Sequence, residues 1–413
     1  MTNRLLQNPW AGDAAAAIAG TLITLSLAPF GFWPCGLLAL ALLHRLLENI
    51  SPARAAWRGW CFGAGLFLSG GSWLYVSIHD FGGASLALAS FLSGGFCLLL
   101  ALMHAMLGYG YARWIRSSEL GRWLGFAAWW VLWEWVRYWL LTGFPWLYVG
   151  YAHLTTPLSG WAPLGGIYTL GFIVALSAAA LDLLFKNELL GNKSLENKLF
   201  QKKYIPVAFA AALWLAGFGL QSIAWTQPKG EPIKIALVQA DIPQEVKWDP
   251  DYFRETLAIY RSLSAPLWRD YDIVFWPEAA VPAFYQSAKP FFDENADYAS
   301  RYHHALVSGV PYRSAQGEVF NSAIALGNGS GVYHKQHLVP FGEYVPLEKY
   351  LRGVIQFFDL PMSDFQAGPA GQAPLQAMGL TFAPFICYEV VYGDLVRHAR
   401  ADVLLTLTND TWF

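Results

Sequence analysis

Charged residues are scarce in this chain of 413 residues, and their scarcity limits what the protein can be. Only 14% of the residues are charged and 55% are hydrophobic, whereas an ordinary soluble domain carries about 25% charged residues. The mean hydropathy of +0.33 and the 20 tryptophans indicate a large membrane-embedded part instead. Cysteine is scarce too. Four scattered cysteines give no disulfide framework and do not decide between an oxidising and a reducing compartment.

The few charges are divided unevenly along the chain. Residues 1–230 carry 14 Lys and Arg but only 8 Asp and Glu, whereas residues 231–413 carry 13 and 21. An apolar, basic first half followed by an acidic second half predicts two domains. We expect a polytopic α-helical transmembrane domain over residues 1–225 and a soluble domain over residues 231–413.

Apolar segments long enough to cross a bilayer, about 17 to 25 residues each, recur through the first domain. Seven spans are predicted, at residues 12–29, 33–50, 58–78, 85–112, 122–142, 162–185 and 204–224. We expect the first span to remain in the mature protein, because it lacks a convincing signal-peptide cleavage site and another span follows at once.

Basic residues lie at alternate connections between these spans. They precede span 1 and cluster between spans 2 and 3, 4 and 5, and 6 and 7. The connections near residues 30–32, 79–84 and 143–161 contain no Lys or Arg. Because basic loops stay in the cytoplasm, we expect a cytoplasmic N-terminus. Seven spans then place the soluble domain on the far side of the membrane.

The fifth predicted span contains two ionisable residues, Glu134 and Arg137, three positions apart on one helix face. Such groups are costly inside a membrane and often functional, so a transporter with an accessory soluble domain is one interpretation. A structural ion pair, or an arginine that extends towards the membrane interface, is the alternative, and we favour it.

The soluble domain alternates between predicted strands and helices. Strands are predicted at residues 233–240, 271–276, 305–310, 320–326, 331–334, 380–387 and 401–408, with helical stretches at 247–269 and 288–303. Mixed elements of this length predict a layered α/β fold with reactive side chains at the strand ends. Fold class alone does not identify a function.

Three residues suited to nucleophilic catalysis, Glu278, Lys335 and Cys387, each follow a predicted apolar strand. A cysteine that attacks a carbonyl group needs a base for its proton and a positive group for the oxyanion. A buried Glu278 can serve as the base and Lys335 as the oxyanion stabiliser, while His334 and His337 are rival bases. A buried structural cysteine and a surface lysine are the plain alternative.

The motifs around these residues resemble the nitrilase superfamily, the carbon–nitrogen hydrolases. The matching stretches are FWPE ending at Glu278, YHKQHLVPFGE around Lys335 and ICYE around Cys387. The resemblance implies a nitrilase-like α-β-β-α sandwich with a Glu-Lys-Cys triad. In that triad Glu278 is the general base, Lys335 stabilises the oxyanion and Cys387 is the nucleophile.

Because several membrane spans precede this domain, the chain is more specifically similar to the membrane-anchored branch, the apolipoprotein N-acyltransferases of Gram-negative bacteria. The stretch PFGEYVP at residues 340–346 is the most distinctive signature of that branch. The resemblance implies supporting roles for Glu343, Tyr388 and Glu389, with the Tyr388 backbone N–H as a further oxyanion donor. Contact with substrate is expected for four aromatic residues, Trp248, Phe341, Phe357 and Phe358.

The resemblance implies a two-step acyl transfer of the ping-pong type. Cys387 takes a fatty acyl chain from a membrane phospholipid as a thioester. The N-terminal amine of a diacylglyceryl-modified apolipoprotein then accepts that chain. The resemblance further implies a multi-pass protein of the bacterial inner membrane with its catalytic domain on the periplasmic side. No metal-ligand or phosphate-binding pattern is evident, so we expect no cofactor, no metal and no nucleic acid.

Other interpretations remain open beside this one. A membrane-bound amidase or nitrilase and a catalytically inactive binding module are alternatives to the transferase and to the transporter. The chain also departs from the family pattern where it stops, at Phe413. The resemblance implies that the rest of the sandwich and one more membrane helix would follow, so we expect an incomplete catalytic domain.

Overall fold

The structure is a computed structural model that describes residues 8–189, 199–228, 230–340, 342–344 and 364–409. The chain divides into two compact units. Residues Met1–Tyr75 and Ser85–Pro228 form the first unit, and Val76–Ala84 and Lys229–Phe413 form the second.

Seven helices of 13 residues or more occur among the described residues of the first unit. They are α1 Pro9–Ser26, α2 Pro34–Leu46, α3 Pro52–Gly70, α4 Leu86–Gly110, α5 Phe126–Trp139, α6 Ala162–Leu189 and α7 Leu199–Leu220. A four-residue helix, Trp73–Val76, follows α3, and short π or 3-10 turns lie between several of the others. Each of the predicted spans falls on one of the seven helices.

Local sequence signals specify where two of these helices begin. The side chains of Asn8 and Ser51 accept hydrogen bonds from backbone N–H groups of the first turns of α1 and α3. Pro9 and Pro52 follow at the first helical position, where the missing N–H of proline leaves no hydrogen bond unmade. The helix starts therefore follow from side-chain chemistry within the first turn.

Length and apolar composition decide which of the described helices can cross a membrane. Two helical stretches meet both conditions, Leu86–Ile115 and Pro157–Phe185. The pair Pro52–Gly70 and Trp73–Phe81 would count as a third span, although it is bent by 52°. The predicted spans are thus confirmed as helices, while the number seven for membrane crossings stays a prediction.

Glu134 and Arg137, both buried in α5, hold a non-helical segment of the first unit in place. The backbone N–H of Val149 donates to Glu134 Oε1 at 3.2 Å. The Arg137 guanidinium lies 4.6 Å from the ring centroid of Tyr148. The side chain of Arg137 does not extend to a surface, so that part of the prediction is wrong. These contacts favour a structural role for the two residues over a transport role.

The second unit contains nine strands among its described residues. They are β1 Ile235–Leu237, β2 Ile273–Trp276, β3 Ala305–Arg313, β4 Val319–Gly327, β5 Gly329–Ser330, β6 Val332–His334, β7 Leu375–Ala377, β8 Leu380–Ile386 and β9 Val403–Leu407. Four helices accompany them, α8 Gln244–Lys247, α9 Phe253–Ser264, α10 Lys289–Arg301 and α11 Gly393–His398.

The first sheet has the strand order β1-β2-β3-β4-β6. Strands β1, β2 and β3 run parallel, whereas β4 is antiparallel to both β3 and β6. The register pairs Pro311 with Asn321 and Ser322 with His334. The end of β2, the start of β4 and the end of β6 therefore meet at one edge of this sheet.

The second sheet has the order β5-β7-β8-β9 and faces the first across an apolar core. Phe275 of β2 and Phe382 of β8 meet in that core, with their ring centroids 5.9 Å apart. On the other face of the first sheet, Trp276 packs against Tyr260 of α9 and Phe291 of α10. This succession of helices, sheet and sheet confirms the predicted layered α/β class.

Three details of the second unit differ from the prediction. The helical stretch expected at residues 247–269 is shorter, since α9 ends at Ser264 and residues 248–252 form turns. Strand β7 was not predicted, because three residues with one exposed position carry little hydrophobic pattern. The connection between the predicted strands at 320–326 and 331–334 contains the short strand β5, which pairs with β7 in the second sheet.

Candidate active site

Glu278 lies two residues beyond the end of β2, in a crowded turn at the edge of the first sheet. The residue is only 8% exposed. Gly309 of β3 lies against the turn, and a Cβ atom there would come within 2.6 Å of the Glu278 Cα. The next residue, Ala279, has a positive φ of 44°, a conformation that is strained for a residue with a side chain. Close packing against β3 therefore fixes the direction in which Glu278 points.

Lys335 directly follows β6 and is 1% exposed, so the alternative of a surface charge is wrong. Its backbone N–H donates to the Asn321 carbonyl oxygen at 2.8 Å. Its ammonium nitrogen Nζ lies 2.9 Å from Glu343 Oε1 and 3.6 Å from Glu278 Oε1. The lysine thus contacts two carboxylates at once.

Asn321 of β4 joins the same two carboxylates. Its side-chain amide Nδ2 donates to Glu278 Oε1 at 2.7 Å and to Glu343 Oε1 at 2.8 Å. The other oxygen of each carboxylate accepts a backbone N–H, from Asn409 to Glu278 at 3.1 Å and from Val339 to Glu343 at 2.8 Å. Every carboxylate oxygen in this pair therefore has a donor.

Burial and neighbouring charges set the protonation of this cluster. Burial raises the pKa of Glu278, Lys335 lowers it, and Glu343 raises it again, with a net shift upwards. Burial opposes the charge on Lys335, but Glu343 and Glu278 outweigh burial and raise the pKa of the ammonium. Lys335 is therefore charged at neutral pH, and Glu278 accepts a proton more readily than an ordinary glutamate does.

Cys387 directly follows β8, on the strand-to-helix turn Cys387–Val391. Its φ of 56° is unusual for a residue with a side chain and is typical of functional sites. Burial raises the pKa of its thiol to about 11, the Glu278 carboxylate adds to the rise, and Lys335 opposes it. The resting group is therefore a thiol rather than a thiolate, and attack on a carbonyl requires a base.

Glu389 fastens the Cys387 turn to the loop that follows Lys335. Its side chain is fully buried and accepts the backbone N–H groups of Ile386 at 2.8 Å, Gln336 at 2.7 Å and His337 at 3.1 Å. The Tyr333 hydroxyl donates to both of its oxygens at 3.2 Å. The Glu389 carboxylate thus holds the Cys387 turn and the loop that follows Lys335 at a fixed separation.

Tyr388 forms a further link between these segments. Its hydroxyl donates to the Leu338 carbonyl oxygen at 2.7 Å, and its ring centroid lies 5.5 Å from Lys335 Nζ. This distance is typical of a cation–π contact. The supporting residues expected from the sequence, Glu343, Tyr388 and Glu389, therefore all contact the Lys335 side chain or the segments that carry the triad.

The two rival histidines are engaged elsewhere. The His334 ring nitrogen Nδ1 lies 2.7 Å from the Ser322 hydroxyl, and the His337 ring stacks on Tyr392 with centroids 4.2 Å apart. Burial lowers the pKa of both imidazoles. No contact of either ring with Cys387 occurs among the described residues, so Glu278 is favoured as the base, and the identity of the base stays a prediction.

The four aromatic residues expected to contact substrate are only partly described. Phe341, Phe357 and Phe358 lie outside the described residues. Trp248 directly follows α8, is half-buried, and its indole Nε1 has no hydrogen-bond partner among the described residues. Its role in binding substrate stays a prediction.

Sequence reasoning missed three residues of the site. Asn321 lies within β4 and resembles any polar residue on a strand, so only the sheet register reveals its position. Asn409 contacts Glu278 from the far end of the chain. Lys247, at the end of α8, is 5% exposed and interacts electrostatically with Glu278. No spacing pattern in the sequence links these residues to the triad.

Comparison with known proteins places both units. Residues 19–180 match the family described as the apolipoprotein N-acyltransferase N-terminal domain, and residues 234–413 match the carbon–nitrogen hydrolase family. The chain is 47% identical to an apolipoprotein N-acyltransferase of Azotobacter vinelandii, over 98% of this chain and 78% of that protein. It is 38% identical to one of Coxiella burnetii, over 96% of this chain and 81% of that protein.

A solved structure is also similar to part of the chain. A carbon–nitrogen hydrolase superfamily protein of Xanthomonas campestris aligns with a TM-score of 0.31 and 22% identity, over 43% of this chain and 64% of that chain.

Proposed function

The chain belongs to the apolipoprotein N-acyltransferase family, and on that premise we propose that Glu278, Lys335 and Cys387 carry out phospholipid-dependent acyl transfer to lipoproteins. The acyltransferase class follows from the family. We propose which residues react, in which order the two steps occur and which two substrates take part. The observation that carries this proposal is the contact of Lys335 Nζ with Glu278 Oε1 and Glu343 Oε1, at 3.6 Å and 2.9 Å, together with the electrostatic interaction of Glu278 and Lys335 with the half-buried Cys387 thiol.

In the first half-reaction, Glu278 takes the proton of the Cys387 thiol as the sulfur attacks the ester carbonyl of a phospholipid. The tetrahedral oxyanion is stabilised by the Lys335 ammonium and by the Tyr388 backbone N–H. Collapse breaks the ester bond, and protonated Glu278 gives its proton to the departing lysophospholipid oxygen. The product is a Cys387 thioester with Glu278 again ionised.

In the second half-reaction, the N-terminal amine of a diacylglyceryl-modified apolipoprotein attacks the thioester carbonyl. Glu278 accepts a proton from this amine, and Lys335 again stabilises the oxyanion. Collapse forms the amide bond and releases the Cys387 sulfur, which recovers its proton from Glu278. One carboxylate thus serves as base and acid in turn.

The arrangement of the chain suits substrates that are both anchored in a membrane. We propose that residues 1–225 form a multi-pass domain in the bacterial inner membrane, and that residues 231–413 act on the periplasmic side. The positive charges at alternate connections support this orientation. The apolar helices of the first unit support the membrane location.

The proposal is tested by supplying the purified protein with a phospholipid and a synthetic diacylglyceryl-cysteine peptide. We expect an N-acylated peptide and one lysophospholipid per turnover, detected by mass spectrometry. Cys387→Ser should abolish both products, whereas Cys35→Ser, a matched control in the first unit, should not. Transfer that survives in Cys387→Ser would contradict the proposal. Release of free fatty acid without peptide acylation would support a hydrolase instead.

A further inference from the structure

Lys247 is a buried lysine for which the mechanism above has no use. It ends the short helix α8 and is 5% exposed, although lysine is almost never buried without a partner. The described residues offer its ammonium neither a hydrogen-bond acceptor nor a carboxylate within ion-pair distance. Burial without a direct partner disfavours the charged form of a lysine, so a charged Lys247 needs a negative charge elsewhere in the site to stabilise it.

Helix α8, which carries Lys247, is linked to Glu278 by hydrogen bonds through Asn409. Gln244, one turn earlier on α8, lies with its Oε1 3.4 Å from Asn409 Nδ2. The backbone N–H of the same Asn409 donates to Glu278 Oε2 at 3.1 Å. Helix α8 is thus linked through Asn409 to the oxygen of Glu278 that faces away from Lys335, and the Lys247 charge acts on Glu278.

The charges around Glu278 show what Lys247 contributes. Two carboxylates, Glu278 and Glu343, share Asn321 Nδ2 and the single ammonium of Lys335. Without Lys247, the described site with Cys387 as a thiol would carry a net charge of −1. Protonation of Glu278 would then be the simplest way to relieve the repulsion between the carboxylates. With Lys247 the same site is neutral while both carboxylates are ionised.

We propose that Lys247 is a positioning residue that keeps Glu278 ionised in the resting enzyme. This inference rests on the proposed role of Glu278 as the base, because only the carboxylate form can take the proton of Cys387. Lys335 is committed to Glu343 at the shorter distance and to the oxyanion during catalysis. Lys247 supplies a second positive charge that acts on Glu278.

The proposal predicts a change in the pH dependence of acylation. The groups that act on Glu278 are Lys335, Glu343, Lys247 and Cys387, together with the amide donors of Asn321 and Asn409. Removing the Lys247 charge leaves Glu278 protonated up to a higher pH. The acid limb of the acylation rate should therefore move to higher pH by about one unit, which is about a tenfold loss of rate below the limb.

The experiment measures the rate of acyl-enzyme formation against pH with two donors, a phospholipid and a p-nitrophenyl acyl ester that has no phosphate. We expect Lys247→Met and Lys247→Gln to shift the acid limb with both donors, and Lys247→Arg to restore it largely. Lys289→Met, which removes an exposed lysine paired with Asp293, is the control and should match the wild type. Size-exclusion chromatography and thermal unfolding show which variants are folded.

Two results would overturn the proposal. The first is an unchanged pH profile in a folded Lys247→Met or Lys247→Gln variant. The second is a defect confined to the phospholipid, seen as a raised KM without a shifted limb, which would assign Lys247 to the lipid phosphate. Failure of the proposed function is distinguishable, because then the wild-type protein itself would form no acyl-enzyme from phospholipid.

Discussion

Both units of this protein bury a carboxylate among cations, but the balance of charge around the two carboxylates is opposite. In the first unit, Asp182 of α6 is contacted by two basic side chains, His44 through Nδ1 at 2.7 Å and Arg45 through Nε. The second ring nitrogen of His44 lies 2.6 Å from the Arg122 carbonyl oxygen. Both ring nitrogens of His44 thus lie within hydrogen-bond distance of an oxygen atom.

In the second unit the ratio is reversed. Glu278 and Glu343 share the one ammonium that touches them directly, that of Lys335. Asp182 instead has two basic side chains to itself, and its contacts join helices α2 and α6. Glu278 is buried and shares the Lys335 ammonium with a second carboxylate, so its pKa is raised above the ordinary value, and Lys247 limits the rise. In our proposal, the local ratio of charges, rather than burial alone, distinguishes Asp182 as a structural carboxylate from Glu278 as a base.

The largest effect on the rate of acyl transfer is expected from removing the carboxylate that we propose as the base. Glu278→Gln keeps the shape of the side chain but cannot accept the Cys387 proton, so acyl-enzyme formation should fall by about a thousandfold. In the wild type, burial raises the Glu278 pKa above the ordinary value of 4.5. The rate should therefore decline as the pH falls through that raised pKa, and stopped-flow acylation between pH 5 and 9 measures the limb. A limb at the position of an unperturbed glutamate would contradict this assignment.

Removing the shared cation should have the next largest effect. Lys335→Met leaves two carboxylates without their common ammonium and the oxyanion without its main donor, so acyl transfer should fall by about a hundredfold. Alkylation of Cys387 by iodoacetamide should fall much less, because that reaction forms no oxyanion. Equal losses in alkylation for Lys335→Met and Glu278→Gln would mean that Lys335 acts mainly on the thiol. Peptide mapping by mass spectrometry distinguishes Cys387 from the other three cysteines.

A smaller effect is expected from weakening the hydrogen bonds by which Glu389 joins the Cys387 turn to the loop that follows Lys335. Glu389→Gln replaces one acceptor oxygen with an amide donor, so one of the backbone N–H groups of Ile386, Gln336 or His337 loses its partner. We expect acylation to fall by about tenfold and the free energy of unfolding to fall by about 1–3 kcal/mol. Since Glu389 does not face the substrate in this account, the acid limb should stay in place. A shifted limb would show that Glu389 takes part in proton transfer.

The smallest effect on catalysis is expected from a substitution in the first unit, at Asp182. Asp182→Asn removes the counter-charge of His44 and Arg45, and breaking such a buried pair costs about 3 kcal/mol or more of stability. The apparent melting temperature in detergent should fall clearly, while the acylation rate of the folded fraction and its pH dependence should match the wild type. An altered pH profile in Asp182→Asn would contradict the distinction between the two carboxylates.

The sequence allowed much of the second unit, and the places of the proposed reacting groups at the strand ends, to be predicted for a physical reason. Apolar strands that end in a polar residue are visible in one dimension, and Glu278, Lys335 and Cys387 each stand just beyond such a strand. Residues that act from elsewhere, such as Asn321 and Lys247, carry no local pattern, because the sheet register and the packing of α8 decide where they lie.

The reactivity of the nucleophile also could not be predicted. The sequence places a charged residue, Glu389, close to Cys387 but does not show which charges surround the thiol. In the structure, burial and the Glu278 carboxylate outweigh Lys335 and raise the thiol pKa to about 11. Such a balance depends on distances between segments far apart in the chain. Its consequence is that the base is required for the first step as well as for the second.

The central claim is that Cys387 carries the acyl chain, and tandem mass spectrometry of the protein after incubation with phospholipid tests it most directly. The peptide that contains Cys387 should gain the mass of one fatty acyl group, and hydroxylamine should release that group as it releases other thioesters. The adduct should be absent in Glu278→Gln. An acyl group on another residue, or peptide acylation that proceeds without any adduct on Cys387, would contradict the account.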